Sequence, residues 1–406
     1  MVVPMVVCVG RLLLCSFVAF SSAIASVSAF KDLPLPRIPL YKLDHPEYRV
    51  YKDGRLPYIL THIAHNWGVF DVMSPQWLAS KFSDGVTDIY TNGMRRLDGD
   101  EGHAPNLDYM DEAVVLQHAI NNTRQQTYLQ WRIRLPQWER MADLFDPFPP
   151  YLSGKWWQDK CMQNKTTKAN FWSAVAWRMM VIGKEQAGMF VHPDSFYTSV
   201  WQMQLQGTKR WAVCHPDDEN LFPGAGAWDP FQPNYDSLER DFPNIRNARC
   251  GFADVSPGEV LLYPSNYWHA TLNLDYPCIG IAGRTVTALN YNGVFEHLRR
   301  ECENPRADAS ENYLGGSENL YSDMCNTVLP RCLAVWESAY GAGRMTHTSQ
   351  GQFKEHADPL CRAPPADRLD CAEASQHACE AAGCCWGPTS DVCRGTGCPI
   401  CFAPSL

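Results

Sequence analysis

The chain has 406 residues, a formal net charge of −9 at pH 7 and only 19% charged residues. It contains no basic run, and this acidic balance disfavours a nucleic-acid partner, because nucleic acids attract basic proteins. The length and an aromatic content of 12% predict one large core with room for a small second module.

The first 29 residues predict a secretory signal peptide. A single basic residue, Arg11, precedes the apolar run LLLCSFVAF, and small residues follow up to Ala29. This apolar core is too short to span a bilayer and no later run is long enough, so no transmembrane span is expected after cleavage. An uncleaved signal anchor is the alternative. In both cases the remainder enters the secretory pathway, to stay in the ER lumen or leave the cell.

Cysteine usage favours the same compartment. Of 17 cysteines, two lie in the signal segment and eight in the last 46 residues, a distribution typical of disulfides in an oxidising compartment. Seven others lie between, so at least one of these is free, pairs with the tail or pairs with another chain. Sequons beginning at Asn121 and Asn164 predict N-glycosylation.

Several elements precede the most informative stretch. Ser74 as N-cap with Pro75 at the first helical position predicts a helix up to Phe82, ended by Gly85. Further along the chain we expect a strand at 86–90, a helix at 111–120, a strand at 128–135 with Leu129 and Trp131 on its buried face, an irregular segment at 147–168 and a strand region at 171–182.

Histidine followed two residues later by an acidic residue occurs four times, beginning at His45, His192, His215 and His356. The pattern is common by chance, so context must discriminate. His192 and Asp194 lead into TSVWQMQL, a turn at Gly207 and KRWAV, which alternates as a strand does. In a strand, residues i and i+2 share a face, so this pair could bind one ion together.

A second histidine is placed by turns on both sides of a short strand. Pro257-Gly258 and Pro264 to Asn266 flank the strand at 260–263, and His269 opens the next strand. Two imidazoles and one carboxylate leave three coordination positions open, as in non-haem iron(II) oxygenases. The alternative is that these are hydrogen-bonded polar groups at strand ends.

The stretch resembles a JmjC domain of the cupin-like type, a family of iron(II)- and 2-oxoglutarate-dependent oxygenases. HPDSFYTSVWQMQLQGTKRW resembles the family's H-x-D and Gly-x-Lys-x-Trp pattern, and PGEVLLYPSNYWHATLNL resembles its second half. The similarity covers roughly residues 31–289. It implies a mainly β fold with an α shell, a double-stranded β-helix (jelly-roll or cupin) barrel, within a domain at 30–338.

By this resemblance, His192, Asp194 and His269 would bind Fe(II), and Lys209 would pair with the distal carboxylate of the co-substrate 2-oxoglutarate. A dicarboxylate in an apolar barrel needs such a cation, because a buried unpaired charge is very costly. Arg284 is a rival anchor, since other branches of the superfamily use a basic residue after the second histidine.

The chain departs from the family pattern near the co-substrate. Gln202 stands where close relatives often have Asn, and Met189 where some place a hydroxyl. Thr271 and Asn273 have the strand parity of His269, so either could supply a compensating hydrogen bond.

An insert at 217–254 follows the first half of the pattern. Its aromatic residues Trp228, Phe231 and Tyr235 either contact substrate or pack as a surface loop. Helices are expected at 294–303 and 319–333, followed by a linker at 339–358.

Residues 359–406 resemble a trefoil (P-type) domain. The resemblance implies four disulfides: Cys361–Cys385, Cys371–Cys384, Cys379–Cys401 and Cys393–Cys398. A module this small cannot bury enough apolar surface, so covalent closure is expected. Zinc binding is the alternative, disfavoured by the adjacent cysteines and the oxidising compartment. Asp370 matches the family's glycan-binding cleft but Ile400 replaces its usual Trp, so glycan binding and plain docking both stay open.

These features together predict a secretory-pathway oxygenase that hydroxylates a protein side chain and yields succinate and CO₂. The alternative is a non-catalytic adhesion or scaffold protein with a degenerate oxygenase domain and a trefoil module that does the binding. The intact His-Asp-His set argues against it, while Gln202 and Met189 leave it open.

Overall fold

The structure, a computed structural model, describes residues 30–64, 67–90, 114–116, 120, 128–146, 148–153, 156–231, 235–287, 289–303, 318–340, 385–386 and 401–402. The predicted signal peptide, the sequon at Asn121 and the predicted trefoil disulfides lie outside these residues. Of the trefoil segment, two short antiparallel strands are described, Cys385–Trp386 and Cys401–Phe402.

Two sheets form the centre of the molecule. Their strands, in chain order, are β1 (Lys31–Asp32), β2 (Arg37–Pro39), β3 (Tyr58–Thr61), β4 (Val86–Tyr90), β5 (Val114–Val115), β6 (Tyr128–Arg132), β7 (Arg178–Gly183), β8 (His192–Pro193), β9 (Ser199–Gln206), β10 (Lys209–Cys214), β11 (Arg249–Val255), β12 (Val260–Tyr263), β13 (Trp268–Asn273) and β14 (Cys278–Thr285).

The helices pack around these sheets. They are α1 (Arg49–Lys52), α2 (Val69–Val72), α3 (Pro75–Lys81), α4 (Leu135–Met141), α5 (Pro150–Ser153), α6 (Trp156–Cys161), α7 (Lys165–Ala174), α8 (Tyr235–Asp241), α9 (Tyr291–Glu303), α10 (Glu318–Asp323) and α11 (Leu329–Tyr340). A π-helical turn, Met324–Val328, joins α10 to α11.

The two sheets face each other across one core. The five-stranded sheet has the order β1-β11-β10-β13-β8 and the nine-stranded sheet β2-β3-β12-β9-β14-β7-β6-β4-β5. Strand pairs are antiparallel except β1–β11 and β2–β3. Val200 and Leu261 from one sheet and Trp211 and Val213 from the other belong to a single buried cluster. This arrangement confirms the predicted mainly β, cupin-like barrel.

The α shell covers the outer face of the nine-stranded sheet. Trp201 and Met203 of β9 point away from the barrel interior into a large cluster that includes Phe171 of α7 and Phe295 of α9. Because strand side chains alternate, Gln202 and Gln204 of the same strand point into the barrel. Both faces of this sheet are therefore buried.

Three disulfides fasten the described part of the chain: Cys161–Cys332, Cys214–Cys250 and Cys302–Cys325. Of the seven cysteines outside the signal segment and the tail, Cys278 is the free one, and it is buried. The expectation that an odd cysteine remains is confirmed.

Most elements around the site are as predicted. Ser74 caps α3 by accepting a hydrogen bond from the Trp77 N–H at 3.1 Å, and the strands predicted at 260–263 and from Trp268 are β12 and β13. The helices expected at 294–303 and 319–333 lie within α9 and the α10–α11 segment. The last of these helices runs to Tyr340, two residues into the predicted linker.

Five expectations are wrong in part. Val114–Val115, inside the predicted helix at 111–120, is a strand paired with β4. The strand predicted to Leu135 stops at Arg132, because Pro136 occupies the first turn of α4. The segments 147–168 and 171–174 hold helices α5, α6 and α7, and the insert at 217–254 contains α8 and β11. These helices are too short to give an apolar period, although Asn164 caps α7 through hydrogen bonds from the N–H groups of Thr166 and Thr167.

Among the described residues, every helix is too short or too polar to cross a membrane.

The disulfides differ in the length of chain that they close, 171 residues for Cys161–Cys332 and 23 for Cys302–Cys325. Closing a longer loop restricts the unfolded chain more, so replacing both members of the first pair with Ser should lower the free energy of unfolding by about 5 kcal/mol, against about 3 kcal/mol for the second. Chemical denaturation under non-reducing conditions measures both losses. Equal losses would contradict this order.

Candidate metal centre

Three side chains converge at one end of the barrel. The register of β8 and β13 places His192 opposite His269, with ring centroids 4.4 Å apart. Asp194 lies between them: its Oδ1 is 4.0 Å from His192 Nε2 and its Oδ2 is 3.7 Å from His269 Nε2. Among the described residues this is the only group of three His, Cys, Asp or Glu side chains with ligand atoms all within 4.8 Å of one another.

Backbone carbonyls orient both imidazoles. His192 Nδ1 lies 2.8 Å from the Phe190 carbonyl oxygen, and His269 Nδ1 lies 3.0 Å from that of Tyr267. An Nδ1–H that donates to a carbonyl leaves the Nε2 lone pair free for a metal. The two Nε2 atoms are the ones that face Asp194.

The charges at this end suit a divalent cation. Burial, and next the neighbouring His269, lower the pKa of His192 to about 4, so this imidazole is neutral near pH 7. Burial alone would raise the pKa of Asp194, but His269, Arg284, His192 and a hydrogen bond from Tyr263 outweigh it and lower that pKa. The site therefore presents neutral imidazole and ionised carboxylate, which are the forms that bind metal.

Lys209 lies at the opposite end of the barrel. In the β10–β13 register, Lys209 pairs with Asn273, Trp211 with Thr271 and Val213 with His269. Lys209 and Val213 are four residues apart, about 13 Å along a strand.

The Lys209 side chain is fully buried, with 0% exposure. Its ammonium is 3.4 Å from the Tyr128 hydroxyl and 5.3 Å from the centre of that ring, and no carboxylate of the described residues forms an ion pair with it. Since a buried charge without a counter-charge is costly, this end of the barrel fits an anionic ligand.

Three buried polar atoms that point into the barrel have no hydrogen-bond partner: Gln202 Nε2, Gln204 Oε1 and Asn273 Oδ1. Such atoms are uncommon in native proteins. Gln202 Nε2 is a donor and can bond to a carboxylate oxygen, whereas Gln204 Oε1 and Asn273 Oδ1 are acceptors and cannot. Lys209, Gln202 Nε2 and the metal ligands therefore fit a metal-bound dicarboxylate.

Thr271 and Asn273 point into the barrel as their parity predicts. Thr271 Oγ1 accepts a hydrogen bond from the Met189 N–H at 2.9 Å, and Asn273 Nδ2 donates to the Lys184 carbonyl at 3.1 Å. Gly183 makes room for this amide, because a Cβ at that position would lie 2.2 Å from Asn273 Nδ2. Whether either residue contacts the co-substrate stays a prediction.

Arg284, the rival anchor, lies at the metal end. It pairs with Val200 in the β9–β14 register, and its Nη1 donates to the Ser195 carbonyl and to Thr198 Oγ1, both at 2.9 Å. These bonds hold it beside Asp194, away from the Lys209 end. The geometry favours Lys209 for the distal carboxylate.

Two further tyrosines line this interior, and the sequence did not single them out. Tyr128 reaches Lys209, and Tyr263 donates a hydrogen bond to Asp194 Oδ2 at 2.8 Å. Burial and the nearby Asp194 raise the pKa of Tyr263 well above its usual value. Strand parity could have found both. Tyr263 is two residues from the inward-facing Leu261 in β12, and Tyr128 lies on the face of β6 opposite to the predicted apolar one.

The other His-x-acid pairs do not form such sites. His45 and Glu47 are exposed. His215 accepts from the Asp217 N–H and contacts Arg249, which is itself paired with Asp218. The pair at His356 lies outside the described residues.

The aromatic residues of the insert pack against the outer face of the five-stranded sheet. Trp228 stacks on Phe222 with centroids 5.6 Å apart, and Phe231 meets the ring of Phe252 edge-on. Both belong to a cluster separate from the barrel interior, so the packing alternative holds for them. The Tyr235 side chain lies outside the described residues.

Comparison with known proteins agrees with this geometry. The profile of the cupin-like domain family matches residues 49–292, and that of the trefoil (P-type) domain matches residues 361–404.

The barrel region is similar to proteins named as oxygenases or hydroxylases. The chain is 23% identical to the mouse protein named 2-oxoglutarate and iron-dependent oxygenase JMJD4, over 64% of this chain and 60% of the relative. It is also 23% identical to the Caenorhabditis elegans protein named bifunctional arginine demethylase and lysyl-hydroxylase psr-1, over 56% of this chain and 55% of the relative. The match thus spans less than two thirds of either relative.

The metal site gives a direct test with a matched control. Asp194→Ala removes the only carboxylate of the group and should lower the affinity for Co(II) at least about 100-fold, since outer-shell changes alone typically cost 10- to 100-fold. Asp217→Ala changes the corresponding residue of the His215 pair and should leave the affinity unchanged. Titration followed by the visible spectrum of Co(II) measures both. Equal affinities in the two variants would contradict this assignment.

Proposed function

Because the chain belongs to the cupin-like domain family, we propose that it is an Fe(II)- and 2-oxoglutarate-dependent oxygenase that hydroxylates a side chain of a protein. The observation that carries this proposal is the two-ended barrel. His192, Asp194 and His269 meet at one end, and Lys209 is buried without a carboxylate partner among the described residues at the other.

In this proposal each end has its own task. His192, Asp194 and His269 hold Fe(II) and leave three positions open. Lys209, with the Tyr128 hydroxyl, binds the distal carboxylate of 2-oxoglutarate, and the unpartnered Nε2 of Gln202 donates a hydrogen bond to the co-substrate. When bound, Fe(II) and 2-oxoglutarate supply oxidation by O₂: one oxygen atom enters the substrate C–H bond, the other enters succinate, and CO₂ leaves.

The chain's apolar residues exclude water from this reaction. Trp211, Val213 and Leu261 line the interior between the two ends and are buried. A dry interior strengthens the ion pair at Lys209 and protects a reactive centre from side reactions. Phe190 and Arg284 lie beside the metal ligands, and we infer that substrate approaches from this side.

The substrate class rests on the relatives. One is named an arginine demethylase and lysyl-hydroxylase, and from this name we infer a protein side chain as substrate. A fold and a cofactor do not fix a substrate, so the residue type stays open. The trefoil module is the candidate for holding a glycan or glycoprotein partner.

We place the activity in the secretory pathway. The apolar segment ahead of Phe30 supports this, and so do three disulfides within the described residues, because cytosolic proteins rarely contain them. Asn164 is exposed at the start of α7. Its Oδ1 accepts the capping hydrogen bonds, so its Nδ2 is free to carry a glycan.

Succinate release tests the activity without knowledge of the substrate. The full chain, supplied with Fe(II), 2-oxoglutarate and ascorbate, should release succinate, and His192→Ala should abolish the release. Lys209→Met should raise the KM for 2-oxoglutarate at least about 10-fold, because a buried charge pair contributes several kcal/mol. Arg210→Met is the matched control, since Arg210 pairs with Asp254 and points away from the barrel interior.

Release that His192→Ala leaves unchanged would contradict the proposal. If the wild-type chain neither releases succinate nor binds Fe(II) and 2-oxoglutarate, the alternative of a non-catalytic adhesion or scaffold protein replaces it.

Glycosylation tests the compartment. When the full chain is expressed in secretory cells, peptide N-glycosidase should reduce its apparent mass, and Asn164→Gln should remove one glycan. Lys165→Gln keeps the sequon and the cap and should leave the glycan in place. Recovery of the chain unglycosylated from the cytosol would overturn the assignment.

A further inference from the structure

Tyr263 contacts two of the predicted metal ligands, Asp194 and His269. It ends β12 with 5% exposure. Its hydroxyl donates to Asp194 Oδ2 at 2.8 Å and lies 3.3 Å from His269 Nε2, and its ring centroid is 4.6 Å from that of His269. One phenol therefore contacts two of the three predicted ligands on the sides that face the metal.

A carboxylate can bind a metal through one oxygen or through both. Binding through both oxygens occupies an extra coordination position, and a facial triad then has too few open positions for a chelating co-substrate and O₂. A hydrogen bond to one oxygen withdraws that oxygen's lone pair and charge from the metal. The other oxygen is left as the ligand.

We propose that Tyr263 is a positioning residue: its hydrogen bond keeps Asp194 Oδ2 from binding the metal, so that the carboxylate binds through Oδ1 alone. The inference rests on the metal site of the proposed function. The register supports it: β12 and β9 place Tyr263 opposite Val200 at the metal end of the barrel, and the preceding inward-facing residue of β12, Leu261, is apolar and buried. The hydroxyl thus has no inward-facing polar neighbour on its own strand, and it is directed at Asp194.

The same distances would allow a competing arrangement, in which the Tyr263 oxygen itself binds the metal. Adjacent ligands of an octahedral ion with bonds of 2.0–2.1 Å are about 3 Å apart, and the Tyr263 oxygen lies 2.8 Å and 3.3 Å from two ligand-bearing residues. A deprotonated Tyr263 could therefore be a fourth ligand. It would then block one of the open positions, which is the opposite of the positioning role.

Tyr263→Phe separates these arrangements in the full chain. Loss of the hydrogen bond leaves Oδ2 free to bind the metal as well, so Co(II) should still bind. It should weaken 2-oxoglutarate binding to the metal-loaded protein about 10-fold or more, because the second carboxylate oxygen then occupies a position that the chelating co-substrate needs. Tyr291→Phe is the matched control, because its buried hydroxyl donates to the Cys332 carbonyl at 2.8 Å, away from the metal, and both affinities should be unchanged.

The wild-type chain provides a second readout that does not depend on folding of a variant. Loaded with Fe(III), it should show no phenolate-to-iron absorption band in the visible range. Such a band would overturn the inference in favour of a tyrosine ligand, and equal 2-oxoglutarate affinities of metal-loaded wild type and Tyr263→Phe would overturn it because the hydrogen bond would then have no positioning role. Either outcome leaves the proposed function standing, provided that the wild type binds metal. Absence of Co(II) binding by the wild type would overturn both.

Discussion

The register of β13 between β8 and β10 is the constraint on which the site depends. It places His269 opposite His192 on one side and opposite Val213 on the other, and the same register places Asn273 opposite Lys209. A slip of one residue would turn every inward side chain outward. The alternation is fixed because Trp268, Ala270 and Leu272 must bury against the outer packing while His269, Thr271 and Asn273 face the barrel. Burial of the apolar residues on the outer face of β13 thus sets the metal geometry.

A second constraint is the charge that this register buries. Lys209 is removed from water at one end of the barrel, and Asp194 is stabilised in its ionised form at the other. The two charges are separated along the barrel axis, so neither neutralises the other at contact distance. A ligand with two anionic ends, one on the metal and one on the ammonium, would satisfy both ends at once. The unpartnered Nε2 of Gln202, a donor, could bond to an oxygen of the same ligand.

Sequence reasoning found the parts of this site that follow from local spacing. His192 and Asp194 are two residues apart, and turn residues on both sides place His269 at the mouth of a strand, so their convergence could be expected. Tyr128 and Tyr263 were missed because both faces of β6 and β12 carry buried residues, and an apolar strand does not reveal which residue faces a ligand. The strand at 114–115 was mistaken for a helix, and the short helices between 150 and 174 were missed, because tertiary pairing and capping decide such segments rather than periodicity.

Binding of 2-oxoglutarate and of glutarate, which lacks only the keto group, tests the two-ended barrel most directly. Calorimetry on the full chain should show that, with Mn(II) bound, 2-oxoglutarate binds at least about tenfold more tightly than glutarate, a difference of 1.4 kcal/mol in binding free energy. Only 2-oxoglutarate can chelate the metal while its distal carboxylate reaches Lys209. Without metal, the two acids should bind equally weakly. Equal affinities in the presence of Mn(II), or 2-oxoglutarate binding that does not depend on metal, would contradict the account.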